Sequence, residues 1–227
     1  MIEIPTEQGS SDWYAARLGI PTASNMHKII TPATRKFSKQ SRGYAFRLVA
    51  EKLLNESLDT LDHIEHVQRG KDLEPQAVKM FEAVEDLHTA PVGFLITNDG
   101  TMGATPDRRI VGAPAFLEVK CPMPWVQLEY LIDGFGADYL AQVQCQIYVG
   151  EADWVARYAF HPMMPAKLEK TYRDDEFIEA MCDAIAQFND MKTEIERKAR
   201  ESGFFEEHIR AGQLSMDELM AQAERNL

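Results

Sequence analysis

Cysteine is scarce in this chain, and one long stretch of it has no acid at all. Only Cys121, Cys145 and Cys182 occur. They are too few and too far apart for a zinc or iron–sulfur motif, and an odd number leaves no closed disulfide set. Reduced thiols of a cytoplasmic protein are expected. No apolar run approaches the ~18 residues of a membrane span, so no membrane partner is expected. The first ten residues, MIEIPTEQGS, lack a basic and then an apolar region, so they do not read as a secretory signal.

Between Trp13 and Ala50 there is no Asp or Glu, while Arg17, Lys28, Arg35, Lys36, Lys39, Arg42 and Arg47 fall in that stretch. The whole chain is nonetheless acidic, with a net charge of −12. From Asp174 onward six basic residues stand against fourteen acidic ones. The basic quarter suits phosphate contacts. It equally suits a solvated face balanced by the acidic end of the same fold. With 227 residues and 45% hydrophobic composition, one domain can bury a sizeable core.

Hydrophobic periodicity then sets the order of elements. Short helices are expected over Asp12–Leu18 and from Thr22 to about Ile30, with a basic loop over Thr31–Ser41. Helices follow at Gly43–Asn55 and Lys71–Val84, the second with Pro75 in its first turn. Between them, Ser57–Val67 reads as a loop. Strands are expected at Val92–Thr97, Thr101–Ile110 and Ala115–Lys120, the first two joined by an Asn98-Asp99-Gly100 hairpin turn. Two more helices, Trp125–Ile132 and Ala137–Val149, precede strands at Trp154–Phe160 and Leu168–Tyr172. A long helix spans Asp175–Glu201 and ends at Gly203. Ser215-Met216-Asp217-Glu218 is a capping box for a terminal helix. The expected fold is a mixed α/β (α+β) domain with a central mixed sheet flanked by helices, over 1–202. A helical appendage occupies 203–227.

One constellation carries chemistry. Pro106-Asp107 is followed, after a gap of ten residues, by Glu118-Val119-Lys120. Glu118 and Lys120 are two apart in a strand and share a face. Antiparallel pairing through the turn near Gly112 brings Asp107 beside them. Two carboxylates suit Mg²⁺, or Mn²⁺ in its place. Such an ion polarises a phosphoryl oxygen and lowers the pKa of bound water, and the lysine can offset transition-state charge. An ion pair on an exposed strand face would use the same residues without chemistry.

The P-D…E-x-K arrangement resembles the PD-(D/E)xK nuclease superfamily, with its restriction-endonuclease-like core. Five blocks appear in order: Arg17-Leu18-Gly19-Ile20-Pro21-Thr22-Ala23-Ser24, Gly70-Lys71-Asp72-Leu73-Glu74, Pro106-Asp107, Leu117-Glu118-Val119-Lys120-Cys121-Pro122, and Tyr139-Leu140-Ala141-Gln142-Val143-Gln144. Together they resemble the phage lambda exonuclease, or YqaJ-type viral recombinase, family over Trp13–Phe160.

The resemblance implies specific roles. Asp107 and Glu118 would be metal ligands, joined by the Val119 carbonyl, and Lys120 the catalytic lysine. Glu74 would be a ligand for a second ion, so one or two ions per site. Gln142 would hold the scissile phosphate or water, with Tyr139 one turn before it. Alone, Gln142 is an ordinary polar helix position. Arg17 and Ser24 would bind a 5′-terminal phosphate; alone they are a surface arginine and a helix cap. Family members also carry an arginine soon after the E-x-K-C-P block, whereas this chain has no Lys or Arg between Lys120 and Arg157. A substitute cation is sought in the Lys36–Arg42 loop, chiefly Lys36 and Arg42. Val67 stands where an apolar wedge would part the duplex.

The implied activity is Mg²⁺-dependent 5′-to-3′ exonuclease action on the 5′-ended strand of double-stranded DNA. It would leave 3′ tails for a single-strand annealing protein, and the enzyme would be a homotrimeric ring in a bacterial or phage-infected cell. An endonuclease or repair nuclease on the same core would use the same acids but cut closed circles. A non-catalytic DNA-binding or assembly module would bind DNA in a salt-sensitive way, with no metal-dependent product.

Overall fold

A computed structural model of the protein describes residues 1–58 and 65–203. Strand β1 (Ile2–Ile4) leads into helix α1 (Ser11–Ala16), whose first turn is capped by Ser10 Oγ accepting from the Trp13 amide at 3.2 Å. A 3-10 helix (Ala23–Lys28) and the hairpin β2 (Ile30–Thr31) and β3 (Lys36–Phe37) precede α2 (Ser41–Leu54) and α3 (Glu65–Glu85). Strands β4 (Thr89–Ala90), β5 (Phe94–Ile96), β6 (Gly103–Ala104), β7 (Arg108–Ile110) and β8 (Ala115–Lys120) follow. Then come α4 (Pro124–Asp133), α5 (Ala137–Val149), β9 (Trp154–His161), β10 (Met164–Tyr172) and α6 (Asp175–Glu201).

The central sheet has the order β10-β9-β8-β7-β4. Only β8 and β9 pair in parallel within it, because α4 and α5 carry the chain back to the same end. Strand β8 is buried on both faces, which explains its unbroken apolar start. Phe116 joins a core built with α2, α5 and α6. Ala115, Leu117 and Val119 join a second core against Ala77, Val78 and Phe81 of α3. The sheet is thus the filling between two helical layers, and Glu118 shares the Phe116 face, toward α5.

Several expectations change. Thr101–Ile110 is not one strand: β6 pairs with β5 in a separate three-stranded sheet, and β7 pairs with β8 and β4. Pro106 lies at the break, where a missing N–H ends the ladder and the residue before it is restricted. Asp107 therefore precedes β7 rather than sitting late in a strand. Helix α3 begins at Glu65, so Pro75 lies in its interior and Val67 within its range, not in a loop. The basic Thr31–Ser41 loop contains the β2–β3 hairpin. The expected hairpin at Asn98-Asp99-Gly100 is present, with Leu95 opposite Ala104 and Gly100 at φ +71°. Gly203, at φ +72°, follows the end of α6. The rest of the C-terminal appendage, with its Ser215–Glu218 capping box, lies outside the described residues, as does the centre of the Ser57–Val67 loop.

The acidic end balances part of the basic quarter. Arg35 pairs with Asp174 at 2.8 Å and Glu176 at 3.1 Å, and Lys52 pairs with Glu196 at 2.8 Å. Lys36, Lys39 and Arg42 remain exposed. No described helix is long and apolar enough to cross a membrane.

Gly103, on β6, ties the three-stranded sheet to the segment ahead of the 3-10 helix. Its amide donates to the Pro21 carbonyl at 2.9 Å, and it bridges to Thr22. An added Cβ would run into the Phe94 ring. Gly103→Ala should therefore destabilise the fold by about 1–3 kcal/mol, measured as a shift in the urea midpoint. An unchanged midpoint would show that Phe94 can swing aside.

Candidate active site

Helix α5 is the element that builds the site. It is buried nearly all round, with Ala141, Val143, Cys145 and Ile147 at 0% exposure. Polar residues in such a helix need partners. Gln144 bonds the Tyr172 carbonyl and the Asp174 amide, at 2.8 and 3.0 Å. Gln142 and Gln146, one turn apart, both reach Glu118.

Glu118 is 3% exposed and each of its oxygens is engaged. Oε1 accepts from Lys120 Nζ and from Gln142 Nε2, both at 2.6 Å. Oε2 accepts from Gln146 Nε2 at 2.6 Å. Asp107, brought opposite β8 by the Arg108–Leu117 register, accepts the Val119 amide on Oδ2 at 2.6 Å. Lys120 Nζ also lies 5.2 Å from the centre of the Tyr139 ring, and Tyr130 donates to the Tyr139 hydroxyl at 3.0 Å.

Crowded acids make the site electrostatically tense. Burial, reinforced by the Glu118 charge, pushes Asp107 well above the usual aspartate range, against the pull of Lys120. Glu74, on α3, is raised by burial and by Glu118, with Arg108 and Lys120 opposing. Burial alone would depress Lys120, but Glu118 and Asp107 outweigh it and hold the ammonium above the ordinary lysine value. Removing a proton from this group therefore leaves negative charge that a cation would relieve.

A cavity of about 170 Å³ joins these groups to the N-terminal block. Its walls include Arg17, Thr22 and Ser24 on one side, and Asp107, Glu118, Lys120, Gln142 and Gln146 on the other. Arg17 caps α1 and lies over the Trp13 ring, 3.8 Å from its centroid; the Trp13 indole N–H donates to Thr105 Oγ1 at 3.0 Å. Thr22 Oγ1 stands 3.5 Å from Arg17 Nη2 and 3.4 Å from Ser24 Oγ. Ser24 is the second residue of a 3-10 helix of six residues rather than of an α-helix, so fewer aligned peptides stand behind it.

The structure therefore brings Asp107, Glu118, Lys120, Gln142, Arg17 and Ser24 into one cavity, with Glu74 in electrostatic reach. Lys36 on β3 and Arg42 at the start of α2 do not line it. A cation that does reach the segment after Lys120 is Arg69, whose Nη2 donates to the Pro122 carbonyl at 3.4 Å. Its place on α3, fifty-three residues away in sequence, hid it. Gln146 was also missed, although the Gln142/Gln146 spacing places both on one helical face.

Among the described residues no three acid, histidine or cysteine side chains stand as a finished cation cage. The donor set nonetheless fits Mg²⁺, which takes one or two carboxylates and fills its remaining positions with waters and phosphate oxygens. Asp107 and Glu118 would hold the ion, with the Val119 carbonyl, and Glu74 could hold a second.

The chain belongs to the family described as the YqaJ-like viral recombinase domain, which it matches over residues 12–153. Comparison with curated proteins returned no match. Its fold resembles that of an alkaline exonuclease (LHK-Exo) from Laribacter hongkongensis, with a TM-score of 0.75 at 24% identity, covering 86% of this chain and 98% of that one. The same enzyme in complex with dAMP matches at TM-score 0.74 and 26% identity over the same shares. A phage related exonuclease from Haemophilus somnus 129PT matches at TM-score 0.66 and 14% identity, over 79% and 96% of the two chains. The fold is the PD-(D/E)xK-type core expected from the sequence.

Proposed function

We propose that this chain is a Mg²⁺-dependent exonuclease that removes nucleotides from the 5′-phosphorylated end of duplex DNA, in the 5′-to-3′ direction. The observation that carries this reading is the single cavity joining Arg17 and Ser24 to Asp107, Glu118 and Lys120. An end-binding group and a hydrolytic group within one small space favour cutting near an end. The dAMP bound by the similar exonuclease is a mononucleotide, the kind of product that stepwise removal from a DNA end yields.

The residues divide the work. The Arg17 guanidinium suits bidentate contact with a terminal phosphate, and Ser24 adds a hydroxyl donor. Stacking on Trp13 fixes the guanidinium plane. Asp107 and Glu118 would hold the ion, which when bound supplies a polarised phosphoryl oxygen and a more acidic water. Lys120, kept charged by its carboxylate neighbours, offsets charge growing on the phosphate. Gln142 holds the Glu118 carboxylate in place and sits where its amide can meet phosphate or water. A homotrimeric ring, and delivery of the 3′ tail to an annealing protein in a bacterial or phage-infected cytoplasm, belong to the same proposal on family grounds.

The test is a linear duplex with one 5′-phosphorylated and one 5′-hydroxyl end, incubated with Mg²⁺ or with EDTA. Loss of the 5′-phosphorylated strand with Mg²⁺ only, its complement left intact, is expected. Digestion in EDTA, or attack on the 3′-ended strand, would refute the reading. Arg17→Ala should bring the two ends to within about threefold of each other by weakening the charge-assisted phosphate contact. A preference that survives the change would place the phosphate elsewhere.

A further inference from the structure

Gln146 has no part in the roles assigned above, yet it holds half of the Glu118 carboxylate. It is 0% exposed, and its helical neighbours Val143, Ile147 and Val149 are core. An amide at such a position is retained only if it is well satisfied or has work to do. Its Nε2 donates to Glu118 Oε2 at 2.6 Å. Its Oε1 is buried and has no partner among the described side chains and backbone groups. The residue lines the cavity that contains Asp107 and Lys120.

The two oxygens of Glu118 are held unequally. Oε1 has two donors, Lys120 and Gln142, and Oε2 is held by Gln146. Removing Gln142 leaves Lys120 on Oε1. Removing Gln146 frees Oε2 and lets the carboxylate rotate. We propose that Gln146 is a positioning residue that fixes Glu118 Oε2 for a divalent cation, and that its Oε1 accepts a hydrogen bond from a water held by that cation. The inference rests on the reading above that the carboxylates bind a divalent ion. It adds a second glutamine, acting through Glu118, to the one already assigned.

The experiment is calorimetric titration of Mg²⁺ and of Mn²⁺ into the full-length protein without DNA. Wild type, Gln146→Met and Gln142→Met are compared, each with its melting temperature. Gln146→Met keeps the side-chain length and removes the amide; it is expected to weaken cation binding ~10-fold at a near-wild-type melting temperature. Gln142→Met should weaken binding by a smaller factor. Should the methionine variant fail to fold, Gln146→Asn, which keeps the amide but falls short of Oε2, carries the test with the same expected loss. Wild-type cation affinity in the Gln146 variants, or equal losses in the two methionine variants, overturns the proposal. Absence of any binding by the wild type overturns it too, and with it the cation-dependent reading of function. Cation binding lost only in the Gln146 variants leaves that reading standing and supports this one.

Discussion

Lys120→Ala is expected to lower the rate of duplex digestion by ~10³-fold while leaving affinity for 5′-phosphorylated duplex nearly unchanged. The reason lies in the separation of tasks across the cavity. Arg17 and Ser24 would meet the end of the DNA on the proposed reading, while Lys120 stands on β8 between Glu118 and the Tyr139 ring. Its charge is held against burial by two carboxylates, so at the pH of the reaction it is a cation and not a base. On the proposed reading its use would then be electrostatic, strongest when the phosphate gains charge in the transition state. Single-turnover digestion and a separate binding assay, both in Mg²⁺, read the two quantities apart. A variant that digests at the wild-type rate would reduce Lys120 to a counter-ion of Glu118. A variant that loses binding and rate together would move the lysine into ground-state recognition.

Asp107→Asn is expected to abolish digestion and also to raise the melting temperature in EDTA at pH 8. The sign follows from the raised Asp107 value. A carboxyl whose folded-state pKa lies above the unfolded one stabilises the fold fully below its ordinary range. That contribution is lost as pH rises through the folded pKa. At pH 8, well above the ordinary aspartate range, the carboxyl therefore burdens a site that already holds Glu118 and Glu74. Asparagine removes the charge and still accepts the Val119 amide, which Asp107 Oδ2 now accepts at 2.6 Å. A gain of ~2–4 °C corresponds to about 1 kcal/mol in a chain of this size. Below pH 4 the difference between variant and wild type should vanish. A variant less stable than wild type at pH 8 would show that attraction to Lys120 outweighs the repulsion. Stability gained where activity is lost is the usual sign that an active site is held in tension.

The two substitutions probe different links. Lys120 tests whether charge placement drives the chemistry. Asp107 tests whether the fold bears a cost to keep oxygen donors together without a cation. Losing activity in both while gaining stability in the second would be hard to reconcile with a purely structural ion pair.

What the residues settled alone was local. Glu118 and Lys120 share a face because side chains alternate along a strand. Asp107 falls opposite them because the chain turns back near Gly112, and the register confirms that geometry. The stop signal at Gly203 placed the end of α6 well, and the structure adds side-chain caps at Ser10 for α1 and Asp174 for α6. Pro75 misled, because α3 starts earlier than the local pattern suggested and its packing through Ala77, Val78 and Phe81 offsets one missing N–H. The Thr101–Ile110 segment was expected as one strand, and only the strand pairing showed that Pro106 divides it.

Tertiary structure decided the rest, since those groups meet across long stretches of chain. Arg17 reaches the acids because the Pro21–Thr22 segment is fastened to Gly103, and Gly103 leads through Pro106 to Asp107. Gln146 looked like core because α5 is core; its partner is a carboxylate twenty-eight residues earlier. Arg69 came to the segment after Lys120 from a helix on the other face of the sheet. The basic quarter, ambiguous as a sequence, divided on folding, with Arg35 and Lys52 paired to α6 and Lys36, Lys39 and Arg42 left in solvent. Sequence spacing determines which side chains share a face of one element. Which faces then confront each other is settled by packing, because burying two apolar layers on one sheet fixes every crossing at once.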